Sequence, residues 1–129
     1  MAITRVFDIL TQLEQKYAKS DILSAKENGK WRSYSTKEFA DNATFLSYGL
    51  HNIGVVRNDK IAIIANNRPE WNFTDYGIQQ AGAISVPIYP TISEADLAFI
   101  LNDASVKYLF ISSKELYTKL KPTIDKASS

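Results

Sequence analysis

Between Lys60 and Ser112 the sequence enters a short run of branched and aromatic residues three times, and between those runs it falls back into helical spacing. The runs are "KIAIIA" (Lys60 to Ala65), "AISVPI" (Ala83 to Ile88) and "VKYLFIS" (Val106 to Ser112). No other feature constrains the fold as tightly. A strand that leads through a helix to the next strand rejoins the sheet by a right-handed crossover, so the sheet is parallel and covered by helices. An α/β fold with a mainly parallel sheet flanked by helices is therefore predicted.

The helical segments carry their own start and stop signals. Pro69 stands where a first turn accepts proline, because that N–H has no partner anyway, and Gly82 closes the segment that runs to Ala81. On this helix Trp71, Phe73, Thr74, Gly77, Ile78 and Ala81 share one side, and Asn72, Asp75, Tyr76, Gln79 and Gln80 the other. The row Phe73, Gly77, Ala81 shrinks toward its end, which predicts a close approach to the sheet. Ser93 opens the next helix, whose stripe is Leu97, Ile100, Leu101 and Ala104, and Ser112-x-x-Glu115 is expected to cap a closing one. The missing donor of Pro87 is least harmful near the end of its strand.

Upstream, Val6, Ile9, Leu10, Leu13 and Tyr17 fall at spacings of three and four, the stripe of an amphipathic helix. "DILSAK" (Asp21 to Lys26) reads as a strand, Asn28-Gly29 as a hairpin turn in which both residues tolerate positive φ, and Trp31 and Tyr34 as its return strand. Ser35-x-x-Glu38 is a capping box, followed by the stripe Phe39, Ala43, Leu46, Leu50 and Ile53 and a left-handed stop at Gly54. The parallel sheet thus carries an N-terminal β-hairpin beside it.

Composition removes several function classes. Fifteen Lys and Arg against fourteen Asp and Glu leave a net charge of +1, so no cationic face that neutralises phosphates is implied and nucleic acid is not an expected partner. With no cysteine there are no disulfides and no thiolate metal sites, which fits a reducing cytoplasm. The first helix is mixed in charge, with Asp8 and Glu14, and is not a signal peptide. No apolar run reaches the roughly 18 residues of a membrane span. A cytoplasmic location is expected, with peripheral contact at the inner face of the membrane left open.

The chemistry-bearing residues are sparse. The five glycines are scattered, and no GxGxxG or GxxxxGK[ST] follows a strand. His51 is the only histidine and falls in the last turn of its helix, where the dipole favours a cationic ring; it has no second His or Cys with which to form a triad or zinc site. Glu70 and Asp75 are turned about 140° apart on a helix, so they do not form an acid–base pair. Trp71 is expected to pack at the start of its helix. Tyr89, Pro90 and Thr91 differ from these, because they lie just past the carboxyl end of a parallel strand, where open α/β sheets place ligands. Pro87 and Pro90 stiffen that loop. It reads either as an ordinary β–α connection or as a contact surface. No catalytic residue and no metal ligand is assigned.

Taken in order, "YSTKEFADNATFLSYGLHNIGVVRNDKIAIIANN", "NNRPEW", "YGIQQAGAISVPIYPTIS", "LAFILNDA" and "KYLFIS" resemble the N-terminal part of the adenylate-forming, AMP-binding synthetases, and among them the long-chain fatty-acid–CoA ligases. The resemblance covers nearly the whole chain. It implies that residues 1–129 are the N-terminal segment of the AMP-binding domain in an acyl-CoA synthetase-like fold. The family's phosphate loop, adenine site, ribose-binding Asp and C-terminal lid with its catalytic Lys do not occur in these residues. It also implies a parent enzyme that uses ATP, Mg2+ and CoA to turn a fatty acid into an acyl-adenylate and then an acyl-CoA. The segment alone is expected to be inactive, to bind none of these tightly, and to have the rest of the polypeptide as its partner. A Ser/Thr/Gly-rich loop with a Lys is expected within the next hundred residues or so. By the same resemblance Tyr89, Pro90 and Thr91 match a loop beside the coenzyme A nucleotide, although some relatives carry glycines there.

Two other function classes bear on the same pattern of strands and helices. A free-standing α/β ligand-binding or interaction module without catalysis stays open. A receiver-like signalling domain does not, because it needs acidic residues at its strand ends, and this chain has Asn66, Asn67, Tyr89, Ser112 and Ser113 there.

Overall fold

The computed structural model describes residues 2–127; the two final serines of the polar C-terminal stretch lie outside it. Among the described residues the order is α1 (Asp8–Lys16), β1 (Leu23–Glu27), β2 (Lys30–Tyr34), α2 (Thr36–Asn52), β3 (Lys60–Ile64), α3 (Pro69–Gln80), β4 (Ile84–Ile88), α4 (Glu94–Asp103), β5 (Val106–Ile111) and α5 (Lys114–Asp125). β1 and β2 form an antiparallel hairpin, and β3, β4 and β5 a parallel sheet in the order β4-β3-β5. The predicted α/β class, with its parallel sheet and N-terminal hairpin, is borne out.

Local signals explain most of these boundaries. Asn28 and Gly29 take φ of 51° and 78° at the hairpin turn, and Gly54 and Gly82 take positive φ at the ends of α2 and α3. At the start of α2 the capping box is complete: Glu38 N–H donates to Ser35 Oγ at 3.0 Å and Ser35 N–H to Glu38 Oε2 at 2.9 Å.

The alternating side chains of β3 divide the core between the two faces of the sheet. Ile61 and Ile63 pack with Ile78 and Ala81 of α3 and Leu50 of α2. Ala62 and Ile64 pack with Leu97 and Leu101 of α4 and Leu120 of α5. A third cluster of Leu10, Tyr34, Phe39, Ala43 and Phe73 seats α1 and the hairpin on the outer side of α2 and α3. Within it the rings of Tyr34 and Phe73 meet edge-on at 5.1 Å.

Five expectations are corrected. The closing helix is capped by Ser113, whose Oγ accepts from Leu116 N–H at 3.1 Å; Ser112 instead continues the sheet, donating its N–H to Ile64 O at 3.1 Å. Gly77 serves a helix–helix contact rather than a helix–sheet one, because a Cβ there would lie 2.9 Å from Ala43 O and 2.8 Å from Leu46 Cδ2, both on α2. Tyr76, expected on the outer side of α3, is half-buried and edge-on to Phe39 at 5.2 Å, and Gln80 accepts from Thr44 at 3.3 Å. On α1 the stripe is narrower than its spacing suggested: Leu10 is buried and Leu13 partly so, while Val6, Ile9 and Tyr17 are exposed. Ile53 is likewise exposed, since α2 ends at Asn52.

In place of that wider stripe, the start of α1 is organised by Asp8. Its carboxylate accepts from Thr4 N–H and Oγ1–H, from Arg5 N–H, and from the Arg5 guanidinium at 2.8 Å. The Arg5 side chain, followed by these other donors, holds the carboxyl well below the usual carboxylate range.

Candidate functional site

β3 sits between two strands, and the connections leaving its neighbours pass to the other face. From β3 the chain turns onto the α3 face, whereas from β4 and β5 it turns onto the face of α4 and α5. Adjacent loops that part in this way open a crevice at the carboxyl edge of the sheet, the place where doubly wound sheets hold ligands.

A cleft of about 490 Å³ lies between the β3–α3 and β4–α4 connections. Asn66, Asn67 and Trp71 form one wall, Pro87 and the Tyr89–Pro90–Thr91 loop the other, and Ala65 and Ile88 at the ends of the two strands also line it. Ile88 is buried and anchors the loop; one residue later Tyr89 is 84% exposed. Ile92 N–H donates to Tyr89 O at 3.1 Å, closing a turn whose second residue is Pro90, so the tyrosine ring is carried on a short, stiff support. All three residues singled out from sequence therefore meet at this cleft.

The opposite wall was not anticipated. Asn66 and Asn67 supply carboxamides that both donate and accept. The strand-end rule that pointed to Tyr89 applies equally to the residues following "KIAIIA", and would have found them. Trp71 packs against the Ile61 and Ile63 side of the core, as expected, and also borders the cleft.

Two further concavities share the β3–α3 segment. One of about 570 Å³ separates it from β1, and one of about 260 Å³ lies between Trp71 and the end of β5, lined also by Phe110 and Ser112. Arg68 and Glu70 border both of these. Arg68 Nε donates to Glu70 Oε2 at 2.8 Å, which lowers the Glu70 pKa against the opposing effect of desolvation and raises that of Arg68. Asp75 accepts from Gln79 at 3.1 Å, so Glu70 and Asp75 are engaged separately and form no acid–base pair. His51 is exposed at the end of α2.

The cleft offers carboxamides that donate and accept and an exposed aromatic ring. Its only titratable lining side chain is the Tyr89 phenol. Among the described residues no group of three or more His, Cys, Asp or Glu side chains could hold a metal ion. No helix of the described residues is long and apolar enough to cross a membrane.

Comparison with known proteins decides the family: residues 11–129 match the model of the AMP-binding enzymes. The chain belongs to the AMP-binding enzyme family.

The expected resemblance to long-chain fatty-acid–CoA ligases is borne out as well. A long-chain-fatty-acid–CoA ligase of Mycobacterium bovis, FadD15, is 32% identical over 83 residues, covering 64% of this chain and 14% of that protein. A 4-hydroxybutyrate–CoA ligase of Metallosphaera sedula is 30% identical over 106 residues, covering 82% of this chain and 19% of that one. The chain thus spans under a fifth of the length of these AMP-binding relatives. In three dimensions the N-terminal domain of FACL13 from Mycobacterium tuberculosis superposes with a TM-score of 0.78 at 18% identity, covering 98% of this chain and 31% of that one. At that identity the likeness concerns the fold.

Proposed function

We propose that residues 1–129 are the N-terminal scaffold of the AMP-binding domain in an ATP-dependent fatty-acid–CoA ligase, and that Tyr89, Pro90 and Thr91 form part of the surface against which coenzyme A lies. The observation that carries the proposal is the cleft at the carboxyl edge of the sheet, with an exposed aromatic ring on one rim and carboxamides on the other. A ring held on a proline-stiffened turn stacks on a nucleobase at little entropic cost, and carboxamides satisfy the polar edges of a ligand.

In the parent reaction a carboxylate oxygen attacks the α-phosphorus of ATP and pyrophosphate leaves. The thiol sulfur of CoA then attacks the acyl carbonyl carbon, and AMP departs with the bonding electrons. Neither step is assigned to a side chain of this segment. Mg2+ would offset phosphate charge in the first step, but among the described residues no group of three or more His, Cys, Asp or Glu side chains could hold it. The phosphate loop, the adenine site and the lid belong, in this proposal, to polypeptide beyond the segment, which is its partner; the fatty acid is the substrate of the whole.

Tyr89→Ala in the whole polypeptide is the test. Loss of one base–aromatic stack weakens binding by about 1–3 kcal/mol. KM for CoA is therefore expected to rise about 5- to 150-fold, with ATP–pyrophosphate exchange, which needs no CoA, unchanged. An unchanged KM for CoA, or an equal loss in both half-reactions, would overturn the assignment.

A further inference from the structure

Asn28 and Gly29 close the β1–β2 hairpin between the paired ends Glu27 and Lys30, and no other asparagine of the chain precedes a glycine. Their φ values of 51° and 78° are both positive, the mark of a type I′ turn, in which ψ of the first residue is about +30°. At that ψ the Gly29 nitrogen stands almost opposite the Asn28 side chain across the Cα–C bond. For an L residue the two come together only at a ψ of about −120°. The closed turn therefore keeps them apart.

Once the turn opens, the pair has chemistry of its own. The Gly29 backbone nitrogen attacks the Asn28 carboxamide carbon Cγ. The N–Cγ bond forms, the bond from Cγ to its NH2 group breaks, and ammonia leaves with the hydrogen of the Gly29 amide. A five-membered succinimide results. Water then opens the ring at one carbonyl to give aspartate, or at the other to give a β-aspartyl linkage that routes the backbone through the side chain. Glycine favours the first step because it sets no side chain beside the attacking nitrogen, and a Cβ at Gly29 would meet nothing within 4 Å, so the turn stands in open space.

The hairpin is held at its other end. Tyr34 is buried against Phe73, whereas Trp31 is 70% exposed and Lys26, Glu27, Lys30 and Arg32 are exposed too. Near the turn the strands are tied by their ladder, by Lys26 over the Trp31 ring at 5.8 Å and by the Glu27–Arg32 ion pair at 3.7 Å. Water competes for each of these, and two strands alone are marginally stable. Such an end opens locally far more often than the whole chain unfolds. We infer that Asn28 is a site of spontaneous deamidation, blocked while the type I′ turn is closed and exposed to attack when the hairpin tip opens. A β-aspartyl product lengthens the backbone of a loop whose length sets the strand register, so the tip does not close again in the same pairing. The conversion is a one-way record of opening.

Peptide mapping by mass spectrometry of the 129-residue chain, held at mildly alkaline pH, tests this. In urea Asn28 should convert about tenfold or more faster than any other asparagine, and about tenfold or more faster than in the folded chain. Gly29→Ala, read in urea where folding plays no part, should slow the conversion by a similar factor. In the folded chain Trp31→Ala, which removes an exposed ring and leaves the core intact, should speed it. Equal rates in the folded and unfolded chain, another asparagine converting first, or no effect of either variant would overturn the inference. The β-aspartyl product, isolated and refolded, should exchange its β1 and β2 amides about tenfold faster than the parent. Unaltered exchange there would show that the tip recloses and that the conversion records nothing.

Discussion

The hydroxyl of Ser113 accepts from Leu116 N–H, whereas that of its neighbour Ser112 is buried with no partner. A serine cap contributes about 1 kcal/mol, and an unsatisfied buried hydroxyl carries a desolvation cost of about 1–3 kcal/mol. Ser113→Ala is therefore expected to lower stability by about 1 kcal/mol, and Ser112→Ala to leave it unchanged or raise it, as urea denaturation of the two variants would measure. The Ser112-x-x-Glu115 pattern points to Ser112 as the cap. The choice is made by β5, whose pairing with β3 runs on to the Ser112 amide. Asp8 gives a pH prediction. Its folded pKa is depressed and its unfolded value is near 4, so its stabilisation is fully present above that range and is lost as pH falls below it. The melting temperature of the parent chain should drop between about pH 5 and pH 3 more steeply than that of Asp8→Asn, which has no such proton to take up. Equal slopes would remove Asp8 from the account.

At the scale of elements, the contact between α2 and α3 is where periodicity misleads. Helical spacing correctly groups Trp71, Ile78 and Ala81 toward the sheet, yet α3 is pressed from a second side by α2, so Phe73, Tyr76 and Gln80 are engaged as well. A hydrophobic stripe reports one buried face and misses a second contact made by a glycine and amide groups. Gly77→Ala separates the possibilities by sign. Helix propensity alone would stabilise by about 1 kcal/mol. The 2.9 Å approach to a backbone oxygen of α2 should instead overpack the interface and destabilise by about 1–3 kcal/mol, measured from the denaturation midpoint.

For the whole molecule, the sheet has one covered strand, β3, and two open flanks, and its cleft contains one titratable group. The 129-residue chain by itself is expected to give no saturable heat with ATP in calorimetry and to form no acyl-adenylate, because no phosphate-cradling loop follows any of its strands. Saturable ATP binding would contradict the scaffold proposal.

The sequence by itself determined the alternation of strand and helix, the left-handed turns at Gly29, Gly54 and Gly82, the capping box at Ser35, and the loop at Tyr89 to Thr91 as a strand-end position. Each depends on residues within a few positions of one another, where sterics and local hydrogen bonds act alone. Tertiary structure alone decided the strand order β4-β3-β5, which face each helix covers, the pairing of Asn66 and Asn67 with Tyr89 across one cleft, and the fit of Gly77 against α2. Those depend on which surfaces exclude water together. Groups far apart in the chain settle that only once they are packed.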